Sequence, residues 1–305
     1  MPRKNYSYKR RRFKQLQVVL LAAVLISLAV CAYLLLFKDS RLDLSGFNVD
    51  SVSSKLNDLT LLLEEKLPGN DTNPSVERHE VLRIGVMSDS HGADGLIQKA
   101  VNEMNDAEVN VILHLGDFSE GGEIEHFENA KEIFEKSGIA YHVLPGDHDF
   151  NWVPNYSREN FEAAFGSSYN QAYVYDKIGI ILFENSIQLT GSEEIDWLKS
   201  SILNLEGEAN VIVVFSARPL YSPYFPSKQD NNGGAVIDLL IDSGVKYAFA
   251  GDTHIFAEYR DLSDVLNIIT VGAVGEYKNP LPQWVLVVVY DDGSIEVSPQ
   301  PLVRF

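Results

Sequence analysis

The chain has a single cysteine in 305 residues, and Cys31 falls inside an apolar N-terminal segment. Disulfides, thiolate metal sites and a cysteine nucleophile are therefore excluded from everything that follows it. Positive charge is also scarce: 25 Lys and Arg stand against 43 Asp and Glu, for a net charge of −18. Residues 1–40 hold eight of the basic residues against Asp39 alone, a local balance of +7 that leaves −25 for residues 41–305. A domain so acidic repels nucleic acid and anionic lipid headgroups, except where a metal ion or a local basic cluster inverts the field. No broad nucleic-acid binding is expected. Internal repeats and low-complexity tracts are lacking too, and the length suffices for a sizeable core.

What is present begins with one long uncharged run, Gln15 to Phe37. Its aliphatic part, residues 18–37, spans about 30 Å as a helix at 1.5 Å per residue, the thickness of a bilayer's hydrocarbon layer. The basic cluster on its N-terminal side places residues 1–17 in the cytoplasm and makes 18–37 a signal-anchor, with the remainder across the membrane. A cleaved signal peptide is the alternative; it would have a shorter apolar core and a small-residue cleavage site, which is not found before Lys38. Residues 38–79 read as a stalk. Val49, Val52, Leu56, Leu59, Leu63 and Leu67 recur at helical steps, and Pro68 to Pro74 supply breakers that end the pattern.

From residue 80 to 301 strand and helix patterns alternate. Strands are predicted at Val81–Ser88, Val109–Leu115, Ile139–Leu144, Ala172–Tyr175, Ile178–Phe183, Val211–Phe215, Tyr247–Ala250, Ile268–Val271 and Trp284–Val289. Helices are predicted at Leu96–Met104, Ile124–Lys136, Glu193–Leu205 and Ala235–Ser243. This alternation gives an α/β domain with functional loops at the carboxyl ends of its strands. Four of those ends carry aspartate: Asp89-Ser90-His91, Gly116-Asp117, Gly146-Asp147-His148-Asp149 and Gly251-Asp252-Thr253-His254. Any one is unremarkable in a turn; four at strand ends bring oxygen and nitrogen ligands to one place. Aspartate with neutral imidazole suits Mn²⁺, Fe or Zn²⁺. His114 and His142 lie inside predicted strands and read as core residues, whereas Trp152 and Tyr221, near the loops, either line a substrate pocket or pack.

The series D-x-H, G-D, G-x-H-D and a final D-x-H resembles the calcineurin-like metallophosphoesterases, from about Leu82 to Val297. The resemblance implies two β-sheets packed face to face and flanked by helices, with two divalent metal ions (Mn, Fe, Mg or Zn) at one end. It further implies a first ion on Asp89, His91, Asp117 and His254, with Asp117 bridging to a second. His148 becomes the non-ligand histidine beside the scissile phosphate, oriented by Asp149.

Three second-ion positions depart from the family pattern. Asp147 stands where Asn is usual, Asp252 replaces the first histidine of G-H-x-H, and Ala217 occupies the place of a ligand histidine before Pro219. That leaves an oxygen-only, weaker second site of Asp117, Asp147 and Asp252, favouring Mg²⁺, Mn²⁺ or Ca²⁺ over Zn²⁺. Arg218, beside the gap, is either a substrate-phosphate ligand or half of an ordinary ion pair. The expected activity is hydrolysis of a small or surface-attached phosphomonoester or phosphodiester outside the cytoplasm. The rival expectation is a degenerate surface protein that binds a phosphorylated ligand without turnover. The oligomeric state is not set by the sequence.

Overall fold

The computed structural model describes residues 78–302 apart from 152–156, 188–189, 261–263, 278 and 280. All belong to the second of two units of the chain, Ser75–Phe305. The expected tail, anchor and stalk helix, and Trp152, lie outside the described residues. Among those residues no helix is long and apolar enough to cross a membrane.

Two mixed sheets form the domain. In the first, β1 (Glu80–Met87), β2 (Val111–His114) and β3 (Ala140–Val143) run parallel, while β10 (Gln283–Tyr290) and β11 (Ile295–Pro301) complete the order β11-β10-β1-β2-β3 with antiparallel pairings. The second contains β4 (Gln171–Tyr175), β5 (Ile178–Phe183), β6 (Val211–Ser216), β7 (Tyr247–Ala250), β8 (Ala257–Arg260) and β9 (Asn267–Thr270). Its order is β4-β5-β6-β7-β9-β8, parallel across β5, β6, β7 and β9 with antiparallel edges.

Side chains of a strand alternate between the two faces of its sheet, and here both faces are buried, so the central strands read as unbroken apolar runs. Ile84, Val86, Leu113, Val285 and Val287 of the first sheet share one core with Ile180, Leu182, Val213, Phe215 and Phe249 of the second. The intervening residues Met87, Ile112 and Trp284 pack instead with Ile97, Met104, Phe127 and Phe134 of α1 (Asp94–Asp106) and α2 (Ile124–Ser137). On the other side Ile181, Phe183 and Val214 meet Leu198, Ile202, Val236 and Leu240 of α4 (Ser192–Leu205) and α5 (Gly233–Asp242). The result is a helix–sheet–sheet–helix sandwich, the architecture implied by the sequence motifs.

Three elements were not anticipated. Strands β8 and β11 are edge strands with half-exposed faces, and β11 carries Pro299 and Pro301, which edges tolerate because one row of their N–H groups has no ladder partner. No helix is predicted between Ile139–Leu144 and Ala172–Tyr175, yet Glu159–Phe165 forms a short helix, α3. Seven residues are too few for periodicity or intrinsic helicity to announce a helix. Phe161 holds it in place, buried beside Phe118 and Phe127 with ring centroids 6.2 and 5.6 Å away.

Candidate metal centre

Asp89, Asp117 and Asp147 follow the ends of the parallel strands β1, β2 and β3, and Arg218 and Asp252 follow those of β6 and β7. The loops bond to one another beyond the strands: Asp89 N donates to Gly116 O (2.9 Å), His91 N to Asp117 O (3.0 Å) and Gly92 N to Phe118 O (2.8 Å). The two sheets are joined where Asp252 N donates to Asp89 Oδ2 at 3.1 Å. Five site residues adopt left-handed backbone conformations: Asp89 (φ 55°), His91 (44°), Asp117 (60°), Asp252 (67°) and His254 (58°). Each costs about 1 kcal/mol or more in a non-glycine residue and persists only because the surroundings over-determine it. Gly146 is required for a different reason: a Cβ there would lie 2.0 Å from Asp117 Oδ1.

The first group of ligand atoms is Asp89, His91 and His254, which lie within 4.8 Å of one another. His254 Nδ1 is 2.9 Å from the Tyr277 carbonyl, and His91 Nδ1 is 3.2 Å from both the Ser119 carbonyl and Glu120 Oε1. Both Nδ1 atoms are thereby assigned as N–H donors, which leaves lone pairs on the two Nε2 atoms. Those atoms face each other at 3.4 Å, with Asp89 Oδ1 3.3 Å from that of His254. Two lone pairs so placed repel unless a cation lies between them. Two nitrogens on one tetrahedral ion at ~2.0–2.1 Å are themselves about 3.4 Å apart. Burial, with the nearby charges of His254 and His148, pushes His91 down to about 4, so it is the neutral imidazole that ligation needs.

Asp117 joins this group to a second. It lies within the same 4.8 Å limit of Asp89 and Asp252, and separately of Asp147 and His148. Burial and four neighbouring carboxylates, those of Asp89, Asp147, Asp149 and Asp252, push it well above the ordinary range. Oxygens of Asp89, Asp117, Asp147 and Asp252 are buried without hydrogen-bond partners. Orphaned carboxylate oxygens beside two imidazole lone pairs fit a divalent cation held by Asp89, His91, Asp117 and His254.

The outer half differs. Arg218 Nη2 donates to Asp147 Oδ2 at 2.8 Å, and its Nε donates to the Ser186 carbonyl at 2.9 Å while lying 3.7 Å from Asp252 Oδ2. Lys228 Nζ pairs directly with Asp252 Oδ1. Arg218 is thus an ion-pair partner of both carboxylates, and it is 95 % buried, with Nη1 lacking a hydrogen-bond partner. Burial pushes Asp252 up to about 7 against the attraction of these two cations.

His148 Nδ1 lies 3.2 Å from the Glu120 carbonyl and 3.8 Å from Glu120 Oε2, and its ring packs edge-on to His91 at 5.0 Å. Asp149 works through the backbone. Its carboxylate accepts from the N–H groups of Gly146, Asp117, Phe118 and Ser119 at 2.8–3.1 Å and so ties the β2 and β3 loops together. Burial pushes it up to about 6 despite these donors.

Histidines 114 and 142 stand apart from the ligand groups: His114 stacks on Phe118 at 3.6 Å, and His142 Nε2 meets Tyr175 Oη at 2.7 Å. Tyr221 is 41 % exposed and packs edge-on against Tyr259. The cavity at the β3–β4 edge, lined by Tyr141, His142, Gln171 and Tyr173 among others, contains none of the site residues. Sequence reading passed over two participants. Lys228 lies in the segment Tyr221–Asn232, where no pattern marks it; only the fold delivers it to Asp252. Glu120 was detectable in principle, three residues after Asp117 in a strand-end loop.

A profile of the calcineurin-like phosphoesterases matches residues 82–256. Among solved structures, a dimetal phosphatase from Danio rerio superposes with a TM-score of 0.62 at 14% identity, covering 74% of this chain and 98% of that one. A purple acid phosphatase from yellow lupin seeds gives 0.52 at 12% identity over 70% of this chain and 52% of its own, so the match spans about half of that enzyme. The anchor in the inner membrane complex of Plasmodium gives 0.51 at 14%, over 74% and 90%. No curated protein matches in sequence. At such identities the structural likeness is one of fold, and the profile match supplies the family. The profile spans the first three metal-loop segments and the fourth through His254, so the chain belongs to the calcineurin-like phosphoesterases, a family of metal-dependent phosphoester hydrolases.

Proposed function

We propose that the chain hydrolyses phosphomonoesters or phosphodiesters outside the cytoplasm, at the centre formed by Asp89, His91, Asp117 and His254. The observation that carries this reading is the pair of Nε2 atoms 3.4 Å apart beside an orphaned oxygen of Asp89, with an orphaned oxygen of Asp117 in the adjoining carboxylate group. A divalent ion held there by Asp89, His91, Asp117 and His254, with Mn²⁺ the first to try, would supply Lewis-acid polarisation of a phosphoryl oxygen and would lower the pKa of water. His148, held by its Nδ1 against the Glu120 carbonyl, would act in its doubly protonated form, giving the Nε2 proton to the leaving oxygen and remaining as neutral imidazole. Asp149 is a positioning residue: it fixes the loops that carry Asp117 and His148. Arg218 Nη1 is an unused donor for a phosphate oxygen. Extracytoplasmic placement follows from the basic tail 1–17 and the apolar run 18–37.

One observation favours a second reading, a binding protein without turnover: Asp147 and Asp252 are engaged by the protein's own cations. The fold tolerates such a role, since a relative in structure is named as an anchor. Purified full-length chain is assayed with p-nitrophenyl phosphate and bis(p-nitrophenyl) phosphate in Mn²⁺, with and without chelator. The proposal expects chelator-sensitive turnover that His148→Ala and Asp89→Ala both abolish. Metal-loaded protein without turnover on either ester would replace it with the binding reading.

A further inference from the structure

We propose that this centre is built for one divalent ion and that Lys228 and Arg218 stand in the place of a second. The inference rests on the metal reading of Asp89, His91, Asp117 and His254 given above. Beyond those ligands, the carboxylates that share a ligand group with the bridging Asp117 are Asp147 and Asp252; Glu120, grouped with His91 and His148, is not among them and lies at the exposed rim. Asp147 and Asp252 each already have a cation of the protein. Lys228 Nζ is paired with Asp252 Oδ1, and Arg218 reaches Asp147 Oδ2 at 2.8 Å and Asp252 Oδ2 at 3.7 Å. An ion taking these oxygens would have to expel an ammonium and a guanidinium from a space where Asp252 is 96 % buried.

Charge and donor type agree with this geometry. Of the four carboxylates that offer ligand oxygens, Asp147 and Asp252 are already paired with Arg218 and Lys228, which leaves Asp89 and Asp117 for one divalent ion to neutralise. Asp252 shares its ligand group with no imidazole and Asp147 shares one only with His148, while Ala217, which offers no ligand, is buried in the core between the sheets. Nor are the cations casual surface groups. The Arg218 backbone is clamped by Asn185, which accepts from its N–H at 2.8 Å and donates to its carbonyl at 3.0 Å. The segment carrying Lys228 is pinned by buried Asp230, whose N–H donates to Pro219 O at 2.9 Å and whose carboxylate accepts from Asn185 Nδ2 at 3.0 Å. The protein has built the positive charge into its scaffold.

The test is metal stoichiometry, which does not depend on finding a substrate. Full-length chain is loaded with Mn²⁺ and desalted, then analysed by elemental mass spectrometry and electron paramagnetic resonance. The expected wild-type result is one Mn per chain with the six-line spectrum of an isolated ion. That ion should survive Asp252→Asn and be lost in His254→Ala. The double variant Arg218→Met/Lys228→Met should take up a second Mn and show the spectrum of a spin-coupled pair. Two ions in the wild type would overturn this inference and leave the metal reading standing; no ion at all would overturn both. A single ion lost in Asp252→Asn and kept in His254→Ala would also overturn it, by placing the ion on the wrong carboxylates. The wild-type count decides even if the double variant does not fold.

Discussion

Asp149→Ala removes a carboxylate that is 1 % exposed and accepts four backbone hydrogen bonds, from Gly146, Asp117, Phe118 and Ser119. Alanine fills none of that role, so four buried N–H groups lose their acceptor together. A buried unsatisfied donor costs about 1–3 kcal/mol, and water entering the vacated volume recovers part of it. A net loss of about 4 kcal/mol is expected, at the upper end of single-substitution effects. For a domain of this size 1 kcal/mol corresponds to roughly 2–4 °C, so the melting temperature should fall by about 8–16 °C. Asp149→Asn keeps the shape and one acceptor oxygen but turns an amide NH₂ towards two of the donors, and should fall about half as far. Circular-dichroism melts in chelator give these numbers directly. Repeating them in Mn²⁺ should show at least tenfold weaker ion binding, because the loops holding Asp117 and His148 are no longer tied. An Asp149→Ala protein that melts within about 3 °C of wild type would refute the reasoning, since the four donors would then have found other partners.

Three further outcomes are expected. His114 is fully buried, and burial depresses it from 6.5 to about 3, so it folds neutral. Its folded value lies below its unfolded one, so stability is undiminished above pH 6.5 and declines below it, by up to about 2 kcal/mol at pH 5 at ~1.4 kcal/mol per unit. His114→Asn should flatten the acid limb of melting temperature against pH by that amount, and an unchanged slope would count against it. Gly146→Ala places a methyl 2.0 Å from Asp117 Oδ1, so it should weaken Mn²⁺ binding and cost about 1–3 kcal/mol, as overpacking does; wild-type values in both measurements would contradict the close approach. Protease added to intact cells, or to spheroplasts where an outer envelope intervenes, should degrade the domain and spare residues 1–17; protection of the domain would reverse the topology.

The sequence pattern by itself determined the strand–helix alternation and the aspartates at the strand ends, and the motif resemblance added the two-sheet sandwich. Strands such as β5 and β6 are apolar on both faces because both are covered, and that pattern, broken by Asp and Gly at each strand end, is visible in one dimension. The strand-end positions of Asp89, His91, Asp117 and His254 were legible because each sits at a fixed offset from a strand that could be recognised, and parallel strands deliver their ends to one edge; that these four hold one ion is what the family resemblance implies. Short and edge elements were not legible: α3 exists through the packing of Phe161, and β8 and β11 through pairing with neighbours already in place. Nor was the outer half of the centre. Asp147 and Asp252 read as ligands of a second ion and Arg218 as a phosphate ligand or half of an unspecified ion pair, and only the tertiary structure brings Arg218 and Lys228 to those two carboxylates from the β6–α5 connection. The physical reason is range. Backbone pattern is set by neighbours along the chain, whereas a long flexible cation's partner is set by which carboxylates the fold has desolvated within its reach.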